Sequence, residues 1–181
     1  MTASGSMRAT SAGSAPSSPP EPRWLDEREA RAWRNLQMMN GLIETALARR
    51  LGLRHGLSYP DYRVLVPLSM VEDGRMRVFE LCEVTGWEKS RMSHHLHRMG
   101  LRGLVETVRC DTDRRGAWIG ITADGRRAIE AAAPSHVADV RELFVDLLTG
   151  EQLDAIADAA EVVLLNLGAS PLPGPRAGDR R

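Results

Sequence analysis

Cysteine is scarce in this chain: Cys82 and Cys110 are the only two among 181 residues. Two thiols cannot build a disulfide framework, and reduced cysteines of a cytosolic protein fit better. Aromatic residues amount to 4% of the chain, so few side chains are available to line an apolar ligand pocket. No apolar run approaches the ~20 residues that a membrane-spanning helix requires. The opening MTASGSMRATSAGSAPSSPPEP shows neither the basic start nor the apolar stretch of a secretory signal. The expectation is therefore a cytoplasmic protein with no membrane partner. Neither an HExxH nor a paired CxxC pattern occurs, so the usual zinc-binding spacings are missing. No internal repeat is evident.

Net charge is also missing, with 24 cationic residues against 24 anionic ones. Its distribution is uneven. Residues Trp87–Arg115 carry seven cations and four anions, a net of +3, whereas Thr122–Leu167 carries three cations and nine anions, a net of −6. Such segregation concentrates positive potential on one part of the surface and repels phosphates from another.

Residues 1–23 and 169–181 combine Ser, Ala, Gly and Pro without periodic apolar positions and read as disordered tails. Between them, Trp33, Leu36, Met39, Ile43, Leu47 and Leu51 fall at helical spacings and predict a long helix over 24–51. Ser58 followed by Asp61 predicts a capped second helix, with Pro67 opposing its continuity. A short helix fits Val78–Glu83. Thr85 and Glu88 stand three apart in the pattern of a capping box, which predicts a helix starting there. The short gap, with Gly86 in it, matches helix-turn-helix spacing. After Gly103 the period changes to two. Leu104, Val105 and Val108, a polar turn CDTDRRG, then Ala117, Ile119 and Ile121 predict a hairpin. Thr122 can cap a helix carrying Ile129 to Leu147, which Pro134 should kink or restart. Thr149 with Gln152 opens a last helix with an apolar seam of Leu153, Ile156, Ala160, Val163, Leu164 and Leu167. The fold class is α+β, mainly α.

The stretch TGWEKSRMSHHLHRMGLRGLV holds three histidines within four positions. At ~100° per residue, Met92, Leu96 and Met99 share one side of its helix and His95 falls near that stripe, while Ser90, His94, His97 and Arg98 point away. One reading is a metal site at His94 and His97, which are helical neighbours. It lacks a third ligand, and Arg91 and Arg98 would oppose a divalent cation. The other reading is a nucleic-acid surface, since Ser hydroxyls, Arg forks and imidazoles are the donors that contact phosphates and base edges. A helix of this diameter fits the ~12 Å major groove, and the basic hairpin tip can reach the minor groove.

Two runs, SRMSHHLHRMGLRGLV and DRRGAWIGITADG, resemble the winged helix-turn-helix core of the MarR family of bacterial transcriptional regulators. The matching positions are Ser90, Met92, Ser93, Leu96, Met99, Gly103-Leu104-Val105, Asp113, Arg115, Ile121-Thr122 and Gly125. The resemblance implies a domain over 24–168, with a DNA-binding head at 58–122 and dimerisation helices at 24–54 and 123–168. It implies a homodimer on palindromic double-stranded DNA, acting as a repressor that a small effector releases, with no enzymatic activity and no cofactor. Ser90, Arg91, Ser93, His94, His97 and Arg98 would then contact DNA, together with Arg114 and Arg115 of the wing, which Asp113 would orient. Where the family often has Arg, this chain has His94 and, two residues after the GLV, Thr107. Exchanging a fixed charge for an imidazole weakens phosphate binding and ties affinity to pH.

Trp33, Tyr59 and Tyr62 are the candidates for lining a pocket for a small aromatic effector. Cys82 reads as a small buried hydrophobe, and Cys110, at the base of the wing, is the better candidate for a redox-active thiol. The competing class is a metal-binding protein or metal-dependent enzyme using His94 and His97, and a third is a winged helix that binds only protein.

Overall fold

The computed structural model describes residues 22–108 and 118–168. Compact units divide the chain at residue 36, one covering 1–36 and the other 37–181. In the first, Asp26 and Glu29 exchange backbone-to-carboxylate hydrogen bonds at 2.8 and 2.9 Å. This reciprocal cap opens helix α1, Glu27–His55. The start lies three residues after the predicted one because the cap, and not the first apolar residue, decides where the helix begins.

Helix α2, Tyr59–Met70, starts at Ser58, whose hydroxyl accepts from the Asp61 amide while the Asp61 carboxylate accepts from the Ser58 amide. Pro67 sits inside α2 without ending it. An interior proline costs about 3 kcal/mol. Complete burial of Val64, Leu65 and Leu68 offsets this, at about 1.5–3 kcal/mol for each large side chain. Strand β1, Arg75–Arg77, was not legible in the sequence; helix α3, Val78–Thr85, follows it directly.

The connection from α3 to helix α4, Lys89–Leu101, corrects the expected capping box. Thr85 belongs to α3, where its Oγ1 donates to the Leu81 carbonyl at 2.6 Å. Gly86 then takes a left-handed conformation at φ 67°, and the Gly86 and Trp87 amides donate to the carbonyls of Glu83 and Cys82. That is a glycine-terminated helix end, open to Gly because a Cβ is disfavoured at positive φ. Glu88 is the cap residue of α4 and makes no side-chain capping bond. The turn still spans three residues, Gly86 to Glu88.

Strands β2, Val105–Val108, and β3, Trp118–Ile121, pair antiparallel with Val105 opposite Ile121. On its other edge β3 pairs with β1, Met76 opposite Ile119, giving the order β1-β3-β2 among the described residues. Thr122 caps helix α5, Ala123–Leu143, by accepting from the Gly125 amide. The helix continues across Pro134 instead of restarting and ends before Phe144, so the expected Leu147 falls in a short 3-10 turn, Val145–Leu147. Helix α6, Gly150–Asn166, opens with the predicted Thr149 and Gln152 capping box.

One core joins α2, α3, α4, the sheet and α5 through residues including Leu65, Leu81, Met92, Met99, Val105, Ile119 and Ile129. Arg50 and Arg54 of α1 clasp the buried Asp139 of α5 at 2.8 and 2.9 Å, and Arg50 also grips Glu142 with two bonds. Burial works against the Asp139 charge, but the two arginines hold its carboxyl below the usual range. No helix among the described residues is long and apolar enough to cross a membrane.

Candidate nucleic-acid interface

Helix α4 divides its residues by face. Met92, His95, Leu96 and Met99 are buried, as the apolar spacing requires. Ser90, Arg91, Ser93, His94, His97 and Arg98 are all exposed. The six predicted DNA-facing residues of the helix therefore share its outward side, which follows the short α3 and precedes the hairpin. Asp113, Arg114 and Arg115, the predicted wing residues, lie outside the described residues, as does Cys110.

The inward side of α4 rests on a polar cluster that sequence reasoning missed. Asp61, 2% exposed, accepts from Arg102 at 2.5 Å and from the Ser58 amide at 2.9 Å. His95 Nε2 lies 3.2 Å from Asp61 Oδ1, an ion-pair distance without the alignment of a hydrogen bond. Burial opposes the Asp61 charge, yet contacts from His95, Ser58 and Arg102 outweigh it and hold the carboxyl well below the usual carboxylate range. Arg102 also donates to the Gly56 carbonyl at 2.9 Å. The end of α4 is thus tied to the residues between α1 and α2. Buried charge survives when paired in this way.

Aromatic contacts complete the support. Trp87, 6% exposed, meets His95 edge-on with ring centroids 5.4 Å apart. The Arg91 guanidinium lies 4.3 Å from the Trp87 ring centroid and that of Arg63 lies 5.5 Å from it. On the sheet, the Arg77 guanidinium lies 4.4 Å from the Trp118 ring centroid.

The predicted effector residues separate. The Tyr62 and His136 rings meet at a 39° tilt with centroids 4.2 Å apart, and Tyr59 approaches the same imidazole at 6.1 Å. Burial, with a smaller contribution from Tyr59, pushes the Tyr62 phenol up to about 12. Burial also lowers His136, against the pull of Asp139. Trp33 belongs to the 1–36 unit and is exposed. Cys82 is half-buried, and burial pushes its thiol up, the opposite of what an activated thiolate needs. Among the described residues, no three or more His, Cys, Asp or Glu side chains gather closely enough to hold a metal ion.

A recognition-type helix exposed after a three-residue turn, backed by a small sheet, defines the class: a winged helix-turn-helix DNA-binding protein. Comparisons carry this further. Residues 55–116 match the MarR family model. The chain is 37% identical to AbsC, a MarR family transcriptional regulator from Streptomyces coelicolor, over 81% of this chain and 99% of that one, with a TM-score of 0.77. It is 33% identical to Sco3205, a MarR family transcriptional regulator from the same organism solved in complex with DNA, over 83% and 94% of the two chains, with a TM-score of 0.78. A mutant MarR from E. coli complexed with operator DNA shares the fold at 20% identity and a TM-score of 0.65, covering 74% of this chain and 94% of that one. No curated protein matches the sequence. The chain belongs to the MarR family and is a DNA-binding transcriptional regulator.

Proposed function

We propose that this regulator acts as a homodimer on a palindromic DNA operator, as a cytoplasmic repressor released by a small aromatic effector. The exposed side of α4, with Ser90, Arg91, Ser93, His94, His97 and Arg98, would enter the major groove. Asp113 would hold the wing so that Arg114 and Arg115 reach the minor groove. The observation that carries this reading is the division of α4, whose apolar residues and His95 are buried while all six polar candidates are exposed. In this reading residues 24–54 and 123–168 form the dimerisation region and 58–122 the reading head. Support for dimerisation comes from α6, which has no buried residue and leaves Ile156, Val163 and Leu164 of its apolar seam exposed, with Leu167 just beyond its end. Large apolar patches of this kind mark interaction surfaces. The effector would bind beside Tyr59 and Tyr62.

Selection of bound fragments from genomic DNA tests the proposal. The expected outcome is a two-fold symmetric site with half-sites about one helical turn, ~34 Å, apart. Asymmetric or unselective recovery counts against it. At a recovered site, Arg115→Ala should lower the slope of log affinity against log salt by about one for each phosphate the arginine no longer neutralises.

A further inference from the structure

Two buried residues, Trp87 just before α4 and His95 on its inward side, each touch one of the exposed arginines of the helix. Trp87 presents its ring to the Arg91 guanidinium at 4.3 Å. His95 Nδ1 accepts a hydrogen bond from Arg98 Nη2 at 3.1 Å. We infer that Trp87 and His95 are positioning residues for DNA binding, which hold Arg91 and Arg98 in place before DNA arrives. This inference rests on the reading of α4 given above.

The chemistry separates holding from sequestering. An arginine offers five N–H donors around the edge of a flat group whose faces carry none. The Trp87 ring attracts the Arg91 guanidinium through its π face, a contact that needs no oxygen or nitrogen acceptor and so leaves N–H donors for phosphate or guanine. The bond to His95 takes one donor of Arg98 and leaves four. A long side chain already restrained loses less freedom on binding, so affinity rises with no new contact to DNA.

Asp61 completes the arrangement on the far side of the imidazole. Arginine always donates, so Nδ1 must be the unprotonated nitrogen. The ring proton then sits on Nε2, which faces Asp61 Oδ1 at 3.2 Å. Asp61 in turn is held by Ser58 and Arg102. The chain of contacts runs from the start of α2 through His95 to an arginine on the outer surface. Trp87 carries a second sign of a role other than packing. Its buried Nε1 has no hydrogen-bond partner among the described residues, a cost that a phenylalanine ring would avoid.

The test measures stability and affinity together, using the full chain and duplex DNA carrying the site recovered by the genomic selection. Trp87→Phe should leave thermal stability unchanged or raised while weakening DNA binding by about threefold to tenfold, and Arg91→Ala should add little in that background. His95→Gln keeps a donor toward Asp61 but removes the acceptor at Nδ1, whereas His95→Asn places a carbonyl oxygen near Nδ1. Binding should therefore fall in His95→Gln and recover in His95→Asn, although Asn leaves the larger void and a packing role predicts the reverse order. The inference is overturned if the arginine variants weaken binding while the Trp87 and His95 variants do not, or if the effects simply add. If Arg91→Ala and Arg98→Ala each bind as wild type, or no site is recovered, the reading of α4 itself falls and takes the inference with it.

Discussion

Gly125 shows how a single residue holds the reading head together. A Cβ there would run into the Leu104 carbonyl oxygen, which also accepts from the Thr122 amide at 3.2 Å. The close approach lets the start of α5 pack against the strand leaving α4. Gly125→Ala should lower the unfolding free energy by about 2–4 kcal/mol, read by urea denaturation, because backbone and not a mobile side chain must give way. Asp61 offers a second test at this scale. Its folded carboxyl titrates below the unfolded one, so its stabilisation is fully present above the unfolded value and is lost as pH falls toward the folded one. The stability gap between wild type and Asp61→Asn should thus narrow as pH drops below about 5. A constant gap from neutral to acid pH would show that the carboxylate charge contributes nothing. Little of this cluster was legible in the sequence. The Ser58 and Asp61 cap shows in local spacing, but its pairing with His95 and Arg102 joins residues 34 and 41 positions away, which no periodicity reports.

Helices announced themselves where a face or a cap is local. The apolar stripe of α4 and the Thr149 cap of α6 were both readable because spacing of three and four residues dictates which side is buried. Thr85 misled because the same residue pattern fits two uses of a hydroxyl. It caps backward onto the Leu81 carbonyl, since Gly86 terminates α3 first. Strand β1 stayed hidden because three residues, Arg75–Arg77, with one buried side chain cannot display an alternation; pairing with β3 creates it. The two faces of α4 should separate cleanly by mutation. Met92→Ala, at a fully buried site, should cost about 2–5 kcal/mol of stability. Ser93→Ala, on the exposed face, should change stability by no more than about 0.5 kcal/mol. Similar destabilisation by both would contradict the assigned orientation of the helix.

For the whole molecule, composition misleads and distribution informs. Zero net charge conceals a basic segment around α4 and an acidic one from Thr122 onward, an arrangement that would steer DNA to the reading head. The seam of α6 was also readable as apolar, yet the sequence alone does not say what covers it. Ala160→Glu within that seam should shift sedimentation toward a monomer and weaken operator binding, since one copy would present one half-site reader. Whether the outer side of α4 meets DNA is read most directly by an affinity titration of wild type and Arg98→Ala across a range of salt concentrations. If that side meets DNA, the variant should bind more weakly, with a salt slope shallower by about one for each phosphate that Arg98 neutralises in the wild type. Equal affinity and equal slope in the two proteins would contradict it.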